Sequence, residues 1–136
     1  MPSFFSRLPL KPEHRQFAIA GVLGLLVDVL SLYLFLFLGC NRIAARLLAF
    51  LLAVFTTWQI NRRTTFRTTV GNTNLLLEFG KYLLAMIGGG SINLLCSSLL
   101  LYLLPAHPML PMLAVGLGSI AGMGFNFCAA KWFVFK

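Results

Sequence analysis

Four apolar runs, separated by polar intervals, make up most of the chain. They extend over about 17–38, 43–60, 82–104 and 109–130. Each is close to the ~20 residues that a helix needs to cross the hydrocarbon core of a bilayer. The apolar residues come in blocks and not in the one-sided stripe of a soluble surface helix. The pattern predicts an all-α integral membrane protein of four transmembrane helices. A segment at 1–16 precedes them and a loop at 61–81 divides them into two pairs.

The exceptions inside the runs carry the chemistry. Asp28 lies near the middle of the 22-residue run Phe17 to Leu38, hence near the bilayer midplane. A carboxylate there opposes insertion by about 2.5–3.5 kcal/mol, which makes it a functional-site candidate by default. Gly21, Gly24, Asp28 and Ser31 are spaced i, i+3, i+7 and i+10 and share one helix face. Gly89, Asn93 and Ser97 form the corresponding face of the third helix. Small residues let helices approach, and polar ones then meet across the contact. Gly21, Gly24 and Gly89 are therefore expected at helix contacts, and packing with no transport role is the competing reading of these faces.

The short turn Gly39–Arg42 makes the first two helices a hairpin, so residue 28 lies at about the depth of residue 53. Arg46 is seven residues higher, about 10 Å at 1.5 Å per residue, and only just within reach of Asp28. Thr56, Thr57 and Asn93 are nearer in depth and can donate hydrogen bonds. On depth alone, hydrogen bonding or a retained proton is expected at Asp28 in preference to a salt bridge, since desolvation disfavours a bare carboxylate.

The two halves of the sequence resemble each other. Phe17, Gly24 and Asp28 align with Tyr82, Gly89 and Asn93 at an offset of 65. Thr57-Trp58 and Arg62 to Phe66 align with Asn126-Phe127 and Lys131 to Phe135 at an offset of 69. The difference falls where the second turn, with Pro105, Pro108 and Pro111, is longer. The reading is a parallel internal duplication of two helical hairpins, with Asp28 and Asn93 as the matched midplane positions.

Composition agrees, at 59% hydrophobic and 10% charged residues. The net charge of +8 sits at the ends of apolar runs and forms no continuous stripe, so nucleic acid is not expected as a partner. Nine of the eleven basic residues fall in the N-terminal segment, the middle loop or the C-terminus. Only Arg42 and Arg46 lie on the opposite side, which predicts cytoplasmic termini. Asn61, Arg62, Arg63 and Lys131 cluster at helix ends, where the helix dipole favours cations. They are open to two readings, ordinary interfacial anchors beside Trp132 and Phe133, or a phosphate site using paired guanidiniums.

In the N-terminal segment Phe4, Phe5, Leu8 and Leu10 suit the membrane surface, with Pro9 and Pro12 keeping any helix short. A signal peptide competes, but the run of 22 is too long for its apolar region and Asp28 is foreign to one. Phe37-Leu38-Gly39-Cys40 fits a lipoprotein cleavage site poorly. Cys40, Cys96 and Cys128 lack metal-like spacing and read as small packing residues. His14 and His107 are isolated, and no nucleophile–base pair appears, so neither enzymatic activity, cofactor nor metal is expected.

Taken in order, Gly24-x-x-x-Asp28, Asn61-Arg62-Arg63-Thr64-Thr65-Phe66, and Asn126-Phe127 with Lys131-Trp132-Phe133-Val134-Phe135 resemble the GtrA-like family of small four-helix bacterial membrane proteins. The resemblance spans Phe17 to Phe135, and departs from the family at Thr57-Trp58, where Asn-Phe is usual. It implies translocation of a polyprenyl-phosphate-linked monosaccharide across the inner membrane, for cell-surface polysaccharide synthesis, beside a polyprenyl-phosphate glycosyltransferase. Arg62, Arg63 and Lys131 would then meet the phosphate, and Asp28 and Asn93 the sugar, with Asn61 and Asn126 as further polar contacts. Four helices are few for enclosing such a head group, so a homo-oligomer in contact with membrane lipids is expected. Two rivals remain: a non-transporting scaffold for the glycosyltransferase, and a proton-coupled small multidrug exporter, against which the strong charge bias argues.

Overall fold

The structure, a computed structural model, describes residues 11–135. The expected surface role of Phe4, Phe5, Leu8 and Leu10 lies outside them, as do Arg7, Pro9 and Lys136. The described residues form helices α1 (Pro12–Phe37), α2 (Arg42–Arg63), α3 (Leu75–Leu103) and α4 (Leu110–Ala129), and a π-helical turn at Ala130–Val134. No strand occurs among them. All four helices are long and apolar enough to cross a membrane, the last counted together with its π turn. The protein is an all-α, multi-pass membrane protein.

Two helices begin earlier than hydropathy alone places them. Pro12 occupies the first turn of α1, where its missing N–H removes no helical bond, and so opens the helix instead of shortening it. Residues 75–81, assigned above to the loop, form the first two turns of α3. The Asn74 side chain caps this helix by accepting from the Leu76 N–H at 3.0 Å. Thr73 adds a hydroxyl bond to Glu78 at 3.0 Å, and Glu78 is buried. Hydropathy cannot see capping, because caps are made by polar residues just outside the membrane-spanning run.

The chain divides between Thr68 and Thr69 into two compact units, each a helical hairpin. The first pairs α1 with α2 through a tight turn. Gly39 takes φ +88°, the left-handed region that a side chain would strain. This lets the Gly39 and Cys40 N–H groups return to the carbonyls of Leu36 and Phe35 at 3.1 and 3.0 Å, satisfying the last turn of α1. Asn41 then caps α2, accepting from the Ala44 N–H at 2.8 Å.

The second hairpin pairs α3 with α4 and the π turn. Its internal packing repeats that of the first. Ala45, Ala49 and Ala53 are the small buried stripe of α2, and Ala114, Gly118 and Gly122 stand at the same positions of α4, each 69 residues on. Phe17, Ala20 and Gly24 of α1 match the buried Tyr82, Ala85 and Gly89 of α3. Lipid offers no hydrophobic drive between helices, so close backbone approach along small residues supplies the cohesion. Large apolar side chains such as Leu30, Leu94 and Ile120 instead point outward, as a lipid-facing surface requires.

Candidate functional site

Within each hairpin one glycine sits against one polar residue of the facing helix. A Cβ added to Gly24 would fall on the Thr57 methyl, and a Cβ added to Gly89 would fall on the Asn126 amide. These are the same pair by the repeat, Gly24 with Gly89 and Thr57 with Asn126. The departure at Thr57 therefore keeps the packing role of the position while dropping its amide. Gly21 behaves otherwise: it is exposed, and a Cβ there would meet nothing within 4 Å. It shares a face with Asp28 in spacing only and takes no part in the α1–α2 contact, which corrects the packing role expected for it.

The polar centre of the first hairpin is an ion pair. Arg46 Nη1 donates to both carboxylate oxygens of Asp28 at 2.7 Å. Of the three candidate partners the fold selects Arg46, the one that depth alone disfavoured against hydrogen bonds or a retained proton. Thr56 and Thr57, the donors nearest in depth, are spent on their own helix, bonding the Leu52 and Val54 carbonyls at 2.8 and 3.0 Å. Depth was a poor guide because an arginine side chain can lie along its helix. Left to itself Arg46 would extend toward the nearer membrane surface. Turning inward instead offsets the cost of a lone carboxylate at mid-depth. Ser31 packs on the same side of α1, with its hydroxyl on the Val27 carbonyl.

Asn93, the counterpart of Asp28, lies in a different setting. The position matching Arg46 is Val115, so no cation is available there. Asn93 Nδ2 donates instead to Ser119 Oγ at 3.3 Å. Gly118 and Gly122 make room for it: a Cβ on Gly118 would lie 2.5 Å from Asn93 Oδ1, and one on Gly122 2.5 Å from the Gly89 carbonyl. Ser97 returns its hydroxyl to the Asn93 carbonyl at 2.8 Å. Asn126 Oδ1 is buried without a hydrogen-bond partner, close against Gly89. One hairpin thus holds a charged pair at this level and the other only amides and hydroxyls.

The helix ends form the second group. Asn61 is fully buried, and its Oδ1 accepts from the Thr65 hydroxyl at 2.7 Å. Its carbonyl accepts from the Phe66 N–H at 2.9 Å, a five-residue step that Ala130 and Phe135 repeat at 2.9 Å. These wide turns fold Phe66 back onto Phe17 (ring centroids 6.3 Å) and Phe135 onto Tyr82 (6.0 Å). The Asn61 side chain therefore takes part in the local closure at the end of α2. Arg62 is half-buried and Arg63 exposed in the last turn of α2. Lys131 lies 5.7 Å from the Phe127 ring centroid, and Lys81 5.5 Å from that of Phe133, within cation–π range. The residue missed by the sequence reading is Glu78, buried at the start of α3. Its signal was present, since Glu13 precedes it by 65 and both fall in a first helical turn.

Residues 16–135 match the family model described as GtrA/DPMS, transmembrane domain. The chain belongs to this family. The match covers both hairpins and the aromatic closures at their ends, so the resemblance drawn from the short motifs extends to nearly the whole chain. Membership connects the protein to membrane functions involving polyprenyl-phosphate-linked sugars. No curated protein matches the chain. Among the described residues no group of His, Cys, Asp or Glu is arranged to hold a metal ion.

Proposed function

We propose that the protein translocates a polyprenyl-phosphate-linked monosaccharide across the bacterial inner membrane for cell-surface polysaccharide modification. The carrying observation is the family match over 16–135. The physical task suits the residues present. The polyprenyl tail can remain in lipid, while the sugar-phosphate head has to cross a region where unpaired polar groups are costly. Arg62 and Arg63 in the last turn of α2, and Lys131 just after α4, supply cations for the phosphate. Asp28 and Asn93 supply hydrogen-bonding positions for sugar hydroxyls at mid-depth. The ion pair refines this assignment: two accepting directions on the Asp28 carboxylate remain beside Arg46, out of about four on a carboxylate. In this reading both termini are cytoplasmic, a polyprenyl-phosphate glycosyltransferase supplies the cargo, and copies of the chain associate to enclose the head group.

The test is reconstitution of the purified protein in liposomes with a labelled undecaprenyl-phosphate monosaccharide. The label's accessibility from outside is then followed over time. Protein-containing vesicles should equilibrate the two leaflets faster than empty ones, and Arg62→Ala and Asp28→Asn should slow that exchange. Equal rates with and without protein would reject translocation and leave the scaffold reading, since a scaffold moves no lipid.

A further inference from the structure

Helix α2 carries cations at both ends. Arg62 and Arg63 close it, and Arg42 and Arg46 open it. About 24 Å of helix axis separates Arg46 from Arg62, at 1.5 Å per residue. The opening pair is placed against two electrostatic rules. Like charges four residues apart on a helix repel, and cations at a helix N-terminus oppose its dipole. Asp28 compensates one of the two charges. The chain's other acids, Glu13 and Glu78, lie in the first turns of α1 and α3, and Glu13 is at the far end of this hairpin.

The geometry of the pair leaves Arg46 partly unused. A single nitrogen, Nη1, serves both Asp28 oxygens, and among the described residues Nη2 and Nε have no hydrogen-bond partner. The Arg46 side chain is 56% exposed and that of Asp28 16%. A guanidinium held at one nitrogen by a carboxylate still offers planar N–H donors, the arrangement that recognises phosphate oxygens. Asp28 also limits where that donor edge can point.

We propose that Arg46, oriented by Asp28 and assisted by Arg42, is a second lipid-phosphate site. The Arg46 guanidinium lies below the turn of the first hairpin, beside Asp28, and belongs to the end of α2 opposite Arg62 and Arg63. The inference rests on the translocation reading for its cargo, a polyprenyl phosphate, but the chemistry it uses is that of any lipid phosphate group. A phosphate arriving there supplies a second countercharge, since Asp28 compensates only one of the two arginines. The site is thus the receiving end for a head group loaded at the other. Asp28 is a positioning residue in this account, and not a ligand of the phosphate.

The experiment is native mass spectrometry of the full chain in detergent, titrated separately with undecaprenyl phosphate, phosphatidylglycerol and undecaprenol. Asp28→Asn is compared with Asp28→Asn/Arg46→Gln, each also in an Arg62→Gln/Arg63→Gln background so that the other end does not mask the result. Asp28→Asn keeps the cation but loses its orientation, so it should lower undecaprenyl phosphate binding, and by less than removal of the arginine does. The double change should weaken it about tenfold, the loss expected for a charge-assisted contact, and leave undecaprenol unchanged. Weakening confined to undecaprenyl phosphate assigns the site to the polyprenyl lipid; weakening shared with phosphatidylglycerol assigns it to lipid phosphate in general. Equal binding by the single and double variants, or equal weakening for undecaprenol, would overturn the proposal. Both variants lack the ion pair, so a purely structural role would affect them alike. Binding is read without transport, so failure here leaves translocation standing on Arg62, Arg63 and Lys131.

Discussion

Arg46 holds Asp28 through one guanidinium nitrogen, 2.7 Å from either carboxylate oxygen, and so ties α2 to α1 below the hairpin turn. The pair joins the deepest acid of the chain to one of the two basic residues that oppose its charge bias. Each explains the other's presence. Without Arg46 the carboxylate is a bare cost at mid-depth, and without Asp28 the arginine has no reason to turn inward.

The two partners are expected to differ in how much their loss matters. Arg46→Gln leaves a carboxylate stranded, whereas Asp28→Asn leaves an arginine able to extend toward the membrane surface. Unfolding of the solubilised protein should therefore show the larger loss for Arg46→Gln. A double-mutant cycle should yield a coupling of about 1 kcal/mol. A coupling near zero would mean that the pair contributes nothing to the hairpin.

The glycines separate cleanly. Gly89→Ala places a methyl on the Asn126 amide and is expected to cost about 1–3 kcal/mol through overpacking. Adding Asn126→Ala should recover much of that loss by clearing the space. Gly21→Ala meets nothing within 4 Å and gains helix propensity, so it should be neutral or stabilising by up to about 1 kcal/mol. Thermal unfolding of the three variants in one detergent is the measurement.

Thr57→Asn recreates in the first hairpin the glycine–amide contact that Gly89 and Asn126 make in the second. It should fold with stability within about 1.5 kcal/mol of the parent, because Gly24 already leaves the facing position open. Thr57→Phe, which has no counterpart in the repeat, should be clearly worse. Similar losses for both would argue that the two contacts are not equivalent.

The proposed orientation puts the Gly39–Asn41 turn outside the inner membrane and the loop around Gly71–Asn74 inside it. Cys40 should then react with a membrane-impermeant maleimide added to cells whose outer membrane has been opened. A cysteine introduced as Asn72→Cys, in a Cys40→Ser background, should react only after the inner membrane is permeabilised. The reverse pattern would invert the topology and, with it, the loading and receiving ends.

The duplication was legible in single letters and became more specific in three dimensions. Gly24 and Gly89 suggested corresponding positions; their contacts with Thr57 and Asn126 show that the two hairpins use them alike. The same holds for Phe17 with Phe66 and Tyr82 with Phe135. Gly21 misled because spacing defines a face but not which part of it the partner helix covers. Asn61 stood out in the letters as one of a polar cluster, and the fold adds that its side chain is buried and accepts from the Thr65 hydroxyl.

The all-α class, the four spans and the family are readable from the residues alone, because long apolar blocks and end-placed cations follow from the bilayer whatever the helices pack against. Helix starts at Pro12 and Leu75, the wide turns that return Phe66 and Phe135, and the partner of Asp28 emerge only in the folded chain. Those outcomes depend on caps, on small-residue packing and on the path of one long side chain. A rise of 1.5 Å per residue locates a helix position in depth but leaves the direction of an arginine side chain open. In this protein that direction is inward, onto Asp28.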